Sequence, residues 1–360
     1  MFRAWFRRKE IGHAHADSEL HRSLSSFDLT LMGIGAIIGA GVFVLTGIAA
    51  ATKAGPAIVL SYILAGMASL FAALAYAEMA SSVGGTGSAY SYAYAGFGEL
   101  VAWLIGWNLL LEYIMSVGTV AIGWSGYVNN LFQAFNIHLP DAITKNPFEG
   151  GVFNLLASGI IIAIGALLCV GVKQSARFNA IIVFIKMLTI AVFIAVAIPH
   201  VQPANWSDFL PFGWTGVIEG AALVFFAYIG FDALSTAVEE AIDPQRGIPI
   251  AIIASLIVCT AIYIVVSALL TGIVPYTTLN VQSPVADALL HIGQHMAAGL
   301  IAAGAIAGLT TVMLVMYYGL TRICLAISRD GLLPIAIARI NPNTRTPVRI
   351  IVFMGILIAG

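Results

Sequence analysis

Apolar residues run along this chain in long blocks parted by short polar stretches, with no sustained alternation of the kind a strand requires. Nine blocks stand out, near 29–53, 57–80, 97–128, 152–172, 178–199, 214–240, 247–274, 296–327 and 347–360. At 1.5 Å per helical residue, about 20 apolar residues cross a hydrocarbon core of about 30 Å, so eight of the blocks predict membrane-spanning helices. The ninth is still apolar at Ile358-Ala359-Gly360 and is expected to be a membrane helix cut short. Met1 to Arg22 is polar and basic, which predicts an N-terminal segment and no cleavable signal peptide.

The blocks repeat. Starts of the sixth to ninth follow those of the first to fourth by about 185 to 199 residues, and the third member of each set is the longest. Five helices per unit is an odd number, so a second unit enters the membrane inverted, the plan of secondary transporters. That plan needs an interruption in the first helix of each unit, and both blocks carry one. In the first it is Gly33-Ile34-Gly35-Ala36-Ile37-Ile38-Gly39-Ala40-Gly41, where glycines without a Cβ allow the helix to unwind and free backbone N–H groups for an anion. A GxxxG packing face from Gly35 and Gly39 is the competing reading, but it does not require five glycines in nine positions. In the sixth block, Phe225-Phe226-Ala227-Tyr228-Ile229-Gly230-Phe231-Asp232 sets a glycine and a carboxylate inside an aromatic run, and the break is expected near Tyr228.

Composition excludes the soluble alternatives: 60% of the 360 residues are hydrophobic and 9% charged, against about 25% charged in ordinary globular chains. Formal net charge is −1, which recruits neither nucleic acid nor acidic substrates. With the N-terminus placed in the cytoplasm, 13 of the 16 Lys and Arg residues fall on or near that side, Lys53 and Lys145 fall outside, and Lys186 lies within a span. Nine residues beyond Arg177, Lys186 sits about 13 Å into the membrane, too deep for its stem to reach either surface. An ammonium in that position marks a functional group unless a structural partner holds it.

Four motifs carry a family resemblance. Gly33 to Gly41 followed by Val42-Phe43-Val44-Leu45-Thr46-Gly47 resembles the first helix of the amino acid–polyamine–organocation (APC) permeases, most nearly their cationic amino acid transporter branch. Glu78-Met79 with Gly84-Gly85-Thr86-Gly87-Ser88-Ala89-Tyr90, Glu239-Glu240-Ala241-Ile242-Asp243-Pro244-Gln245-Arg246-Gly247-Ile248-Pro249, and Ser328-Arg329-Asp330-Gly331-Leu332-Leu333-Pro334 resemble that family's cytoplasmic segments, in order. The resemblance implies an all-α integral membrane protein of five-plus-five inverted helices, broken in helices 1 and 6 and truncated here in helix 9. A cytoplasmic segment 1–26 would precede a permease domain 27–360, with repeats at about 29–199 and 214–360.

The resemblance also implies a site. It places a substrate α-carboxylate on backbone amides around Ile37, Ile38, Gly39, Ala40 and Gly41, and the α-amino group on carbonyls of the second break near Phe226, Ala227 and Ile229, with Tyr228 also among the substrate-binding residues. It sets a residue of the eighth span against the substrate side chain: Met316, with Met313 one turn away as the alternative. Ala40 stands where many relatives have Ser or Thr. Lys186 resembles the fifth-helix lysine of proton-coupled members, and Glu112 is a second, weaker candidate for proton coupling. The expected activity is proton symport of L-amino acids by alternating access, with small or aliphatic neutral substrates, no cofactor and no metal; an amino-acid-binding membrane receptor on the same scaffold is the alternative. An enzyme is disfavoured, because no catalytic or metal motif is visible. Asp287, His291 and His295 share i, i+4 spacing but read as a solvated face, Glu219 as interfacial, Tyr90, Tyr92 and Tyr94 as an interfacial belt, and Cys169, Cys259 and Cys324 as packing residues.

Overall fold

A computed structural model describes residues 7, 8, 22–83, 85–134, 137, 139–144, 151–281 and 283–360. Gly84 of the second motif, the basic residues Arg3, Lys9 and Lys145, and most of segment 1–26 lie outside them. Eleven α-helices of eight residues or more organise the described chain: α1 Ser26–Ile37, α2 Ile58–Ser82, α3 Ala89–Phe97, α4 Glu99–Ala134, α5 Leu155–Val170, α6 Val172–Ala197, α7 Gly213–Val224, α8 Pro244–Ile273, α9 Pro284–His291, α10 His295–Arg329 and α11 Val348–Ala359. Among the described residues the only β pairing is an isolated bridge between Leu24 and Ala241.

Six helical stretches are long and apolar enough to cross a membrane, and the first, Ser26–Ser82, holds two of the expected spans. Gly55 reverses it at φ 62°, a dihedral glycine tolerates, and Pro56 opens the next turn. The fourth expected span is shorter than the sequence suggests. Helix α5 has 16 residues, about 24 Å, because Asn154 caps its start through the Ala157 amide and Gly171, at φ 147°, ends it and begins α6 directly. Charged Lys173 and Arg177 therefore lie inside helix α6 rather than ahead of it.

Helix α1 starts from a capping box, Ser25 and Asp28 each bonding the other's backbone amide. It packs at the centre of the bundle against α6, α8 and α10. Helix α10 is buried without interruption from Gly308 through Ser328 apart from Val312. On the face where Ser26 begins α1, polar side chains fasten the bundle. Arg322 bonds Glu240 at 2.7 Å with both fully enclosed, Tyr318 also donates to Glu240, and Arg329 pairs with Glu239 at 2.8 Å. Tyr90 donates to Asp330 at 3.0 Å and Tyr94 to Glu99 at 3.0 Å. Tyr90, Tyr92 and Tyr94 are thus buried packing residues, not an interfacial belt. On the opposite face Glu219 is more than interfacial: it pairs with Lys53 at 2.7 Å, joining α7 to the stretch that follows the first break. Asp287 and His291 share α9, but His295 opens α10, so their i, i+4 series is interrupted.

Candidate functional site

Helix α1 stops at Ile37, where Ile38 turns to an extended conformation (φ −77°, ψ 105°). The chain resumes as a π-helical segment, Gly41–Leu45. Phe43 N–H reaches Gly39 O at 3.4 Å, and among the described residues the amides of Gly39, Ala40, Gly41 and Val42 take no backbone carbonyl. These are the unsatisfied donors that open any helix, here set within the first membrane-length stretch, Ser26–Ser82. In the sixth block α7 gives way to a 3-10 turn, Phe225–Tyr228. Ile229 is extended (φ −56°, ψ 134°), Gly230 has φ 118°, and a further 3-10 stretch runs Phe231–Ala237.

The two interruptions face each other. A Cβ on Gly41 would lie 2.8 Å from Ala227 Cα, and one on Gly230 would lie 3.0 Å from Ala36 Cβ, so both glycines permit an approach no larger residue would. Tyr263 on α8 bridges them, its hydroxyl 2.7 Å from Ile37 O and 2.9 Å from Ala227 O. Around it Tyr62 donates to Gly41 O at 3.1 Å and shares a 2.7 Å bond with Thr46, while Tyr228 donates to Tyr62 O at 2.9 Å. The rings of Tyr62, Tyr228 and Tyr263 stack edge to face or tilted at 5.0–6.4 Å.

A hollow of about 370 Å³, its open side included, lies between the interruptions. Ile37, Gly39, Ala40, Gly41, Phe226, Ala227, Ile229 and Met316 line it, eight of the positions named from sequence. Ile38 and Tyr228 do not; both are wholly buried, turned to Lys186 and to Tyr62 respectively. Of the two methionines, Met316 reaches the hollow and Met313 is packed elsewhere. Ala36, Ser116, Val120 and Val312 complete the wall and were not foreseen. Ser116 and Val120 are one turn apart on α4, as Val312 and Met316 are on α10, a pairing that needs the helix orientations as well as the helices.

Lys186 is fully buried behind the first interruption. Its Nζ donates to Ile34 O at 3.0 Å, Gly35 O at 3.1 Å, Ile38 O at 3.0 Å and Thr311 Oγ1 at 3.0 Å. An ammonium has three N–H donors and a neutral amine two, so four acceptors at these distances suit the charged form. Two further side chains missed in the sequence complete the cage: Thr311 also reaches Gly35 O at 3.0 Å, and Asn179 donates to Leu31 O at 3.1 Å. Glu112 stands apart. It is exposed on α4, outside the hollow, with Asp232 as its charged neighbour. Asp232 accepts from Tyr113 at 2.5 Å.

Apolar helices of membrane-spanning length around a hollow, with broken backbone on two sides, are an arrangement suited to an integral membrane protein that moves small molecules. Comparisons with known proteins agree. The model of the family described as "Amino acid permease" matches residues 24–359. A methylthioribose transporter of Bacillus subtilis (strain 168) is 52% identical over 99% of this chain and 78% of its own length. A branched-chain amino acid permease of the same organism is 49% identical over 98% of this chain and 78% of its own. Human cationic amino acid transporter 4 is 39% identical over 98% and 57%. Among solved structures, MhsT in complex with L-phenylalanine superposes with a TM-score of 0.66 at 18% identity, covering 94% of this chain and 79% of that one, a likeness of fold. The chain belongs to the amino acid permease family of the APC superfamily.

Proposed function

We propose that this permease carries small neutral L-amino acids across the membrane together with protons, by alternating access. Units 29–199 and 214–360 form an inverted repeat, with the N-terminus in the cytoplasm and the two interruptions crossing at the centre. The observation that carries the reading is the hollow between the interruptions, with Lys186 fastened to the carbonyls immediately behind it.

Each substrate group finds a complementary partner. Unbonded amides at Gly39, Ala40 and Gly41 receive the α-carboxylate, and carbonyls of the second interruption receive the α-ammonium. The lining has no charged side chain, so a cationic side chain would be buried without a counter-ion, at a cost of several kcal/mol. Met316, Val312 and Val120 suit a small or aliphatic one. The names of the two Bacillus relatives point the same way, to uncharged or aliphatic cargo. Lys186 couples the proton. Its ammonium holds the end of α1 in one arrangement and releases it when the proton leaves, so protonation biases the conformational equilibrium through differential affinity. Radiolabelled L-alanine uptake into proteoliposomes, with and without an inward proton gradient, tests the reading. Gradient-dependent accumulation above equilibrium is expected; uptake that only equilibrates under both conditions would refute symport, and no uptake of any neutral amino acid would refute the substrate class.

A further inference from the structure

We propose that Ser116 reads the substrate's side chain, so that the site favours a small amino acid bearing a hydroxyl over its hydrocarbon isostere. The proposal rests on the neutral-amino-acid reading above and narrows it.

Ser116 is 9% exposed and lines the hollow, and among the described residues its hydroxyl has no hydrogen-bond partner. Several hydroxyls on the spanning helices turn back onto the carbonyl one turn earlier, among them Thr189 to Ile185 at 2.9 Å, Thr260 to Leu256 at 2.8 Å, Thr310 to Ile306 at 2.8 Å and Ser328 to Cys324 at 2.8 Å; Ser69 on α2 is also without a partner, but it does not line the hollow. The habit follows from apolar surroundings, where an unpaired hydroxyl is costly. Ser116 has the same option in the carbonyl of Glu112, four residues before it, and does not use it. Its hydroxyl is left for whatever occupies the hollow.

Position decides which part of the substrate it meets. The remaining polar groups of the lining are backbone groups of the two interruptions, which suit the α-carboxylate and α-ammonium. Ser116 and Val120 on α4 stand with Val312 and Met316 on α10 as the side-chain walls. Of these four only Ser116 carries a hydrogen-bonding hydroxyl, which can donate once and accept. One hydroxyl partners one hydroxyl. A side-chain amide would bring two donors and an acceptor to a wall that offers a single group, and a charged side chain would find no counter-ion. L-Threonine and L-valine have nearly the same shape and differ in this one group, which makes them the discriminating pair. A site built to bond a hydroxyl rejects the analogue that lacks it, because its own group is then left unpaired.

The test is competition by L-threonine and L-valine against radiolabelled L-alanine uptake in proteoliposomes, for the parent, Ser116→Ala and Ser116→Cys. In the parent, threonine should compete better than valine. Ser116→Ala should weaken threonine about two- to tenfold and leave valine unchanged or improved. Ser116→Cys, close in size and a weak hydrogen-bonding group, should shift the ratio in the same direction and serves if the alanine variant misfolds. Equal competition in the parent, or variants that weaken both amino acids alike, would overturn the role of Ser116. Failure of the parent to take up alanine would instead overturn the substrate reading on which it rests.

Discussion

Removing one oxygen from Tyr263 separates the two interruptions without disturbing their packing. Its hydroxyl reaches Ile37 O at 2.7 Å and Ala227 O at 2.9 Å, and neither carbonyl receives another donor among the described residues. Tyr263→Phe keeps the ring, and with it the contacts to Tyr62 at 5.0 Å and Tyr228 at 5.4 Å. Leaving a buried carbonyl unsatisfied costs about 1–3 kcal/mol. Two carbonyls share one proton here, and both border a hollow from which water can replace part of the bond, so we expect the lower half of that range. If the tie holds the interruptions in the arrangement that binds substrate, its loss lowers the competent fraction and apparent affinity falls in proportion. A loss of about 1–2 kcal/mol predicts a dissociation constant for L-alanine raised about 5- to 30-fold. Equilibrium binding of radiolabelled alanine to purified parent and variant measures it, with size-exclusion profiles confirming that both are folded. A folded Tyr263→Phe protein that binds alanine within twofold of the parent would refute the assignment of these carbonyls to the site.

Two other substitutions probe different parts of the account. Met316→Ser should admit larger side chains and weaken the preference for small ones, measured by competition of leucine, phenylalanine and arginine against alanine; arginine competing best in the parent, with an order unmoved by the substitution, would contradict the role of Met316. Arg322→Met strands the enclosed carboxylate of Glu240 and should destabilise the protein by about 3–5 kcal/mol, whereas Arg322→Met with Glu240→Leu should recover much of that loss in a thermal melt. A single variant as stable as the parent would show that the pair carries no structural load.

Sequence made the apolar spans and the glycine-rich interruption readable, because both are local: helix length follows from the run of apolar residues, and glycines in such density permit an unwound segment. Lys186 was legible for the same reason, a charge where no charge is easily tolerated. The partners were not. Tyr62, Tyr263 and Thr311 look like ordinary residues of apolar helices, and nothing in their neighbourhoods says that three helices bring them to the carbonyls of the interruptions. Ser116 was hidden in the same way, one serine among many until its missing back-bond is seen. Length misled once, at α5, where Gly171 starts the next helix without a loop. Tyr90 and Tyr94 misled through composition: tyrosines near a membrane face suggest a belt, but Asp330 and Glu99 draw their hydroxyls inward.

The central claim is that Lys186 carries the proton whose movement drives the cycle, and accumulation by Lys186→Ala tests it most directly. The structure predicts that the variant folds. Ile34 O keeps the Ile38 amide at 3.1 Å and Gly35 O keeps the Thr311 hydroxyl at 3.0 Å, so of the three carbonyls only Ile38 O loses its donor, while a buried charge is removed. Proteoliposomes holding Lys186→Ala should exchange labelled for unlabelled alanine yet fail to concentrate it under an inward proton gradient that drives the parent. If the variant concentrates alanine as the parent does, with the same dependence on external pH, Lys186 is a structural tie and the proton takes another route.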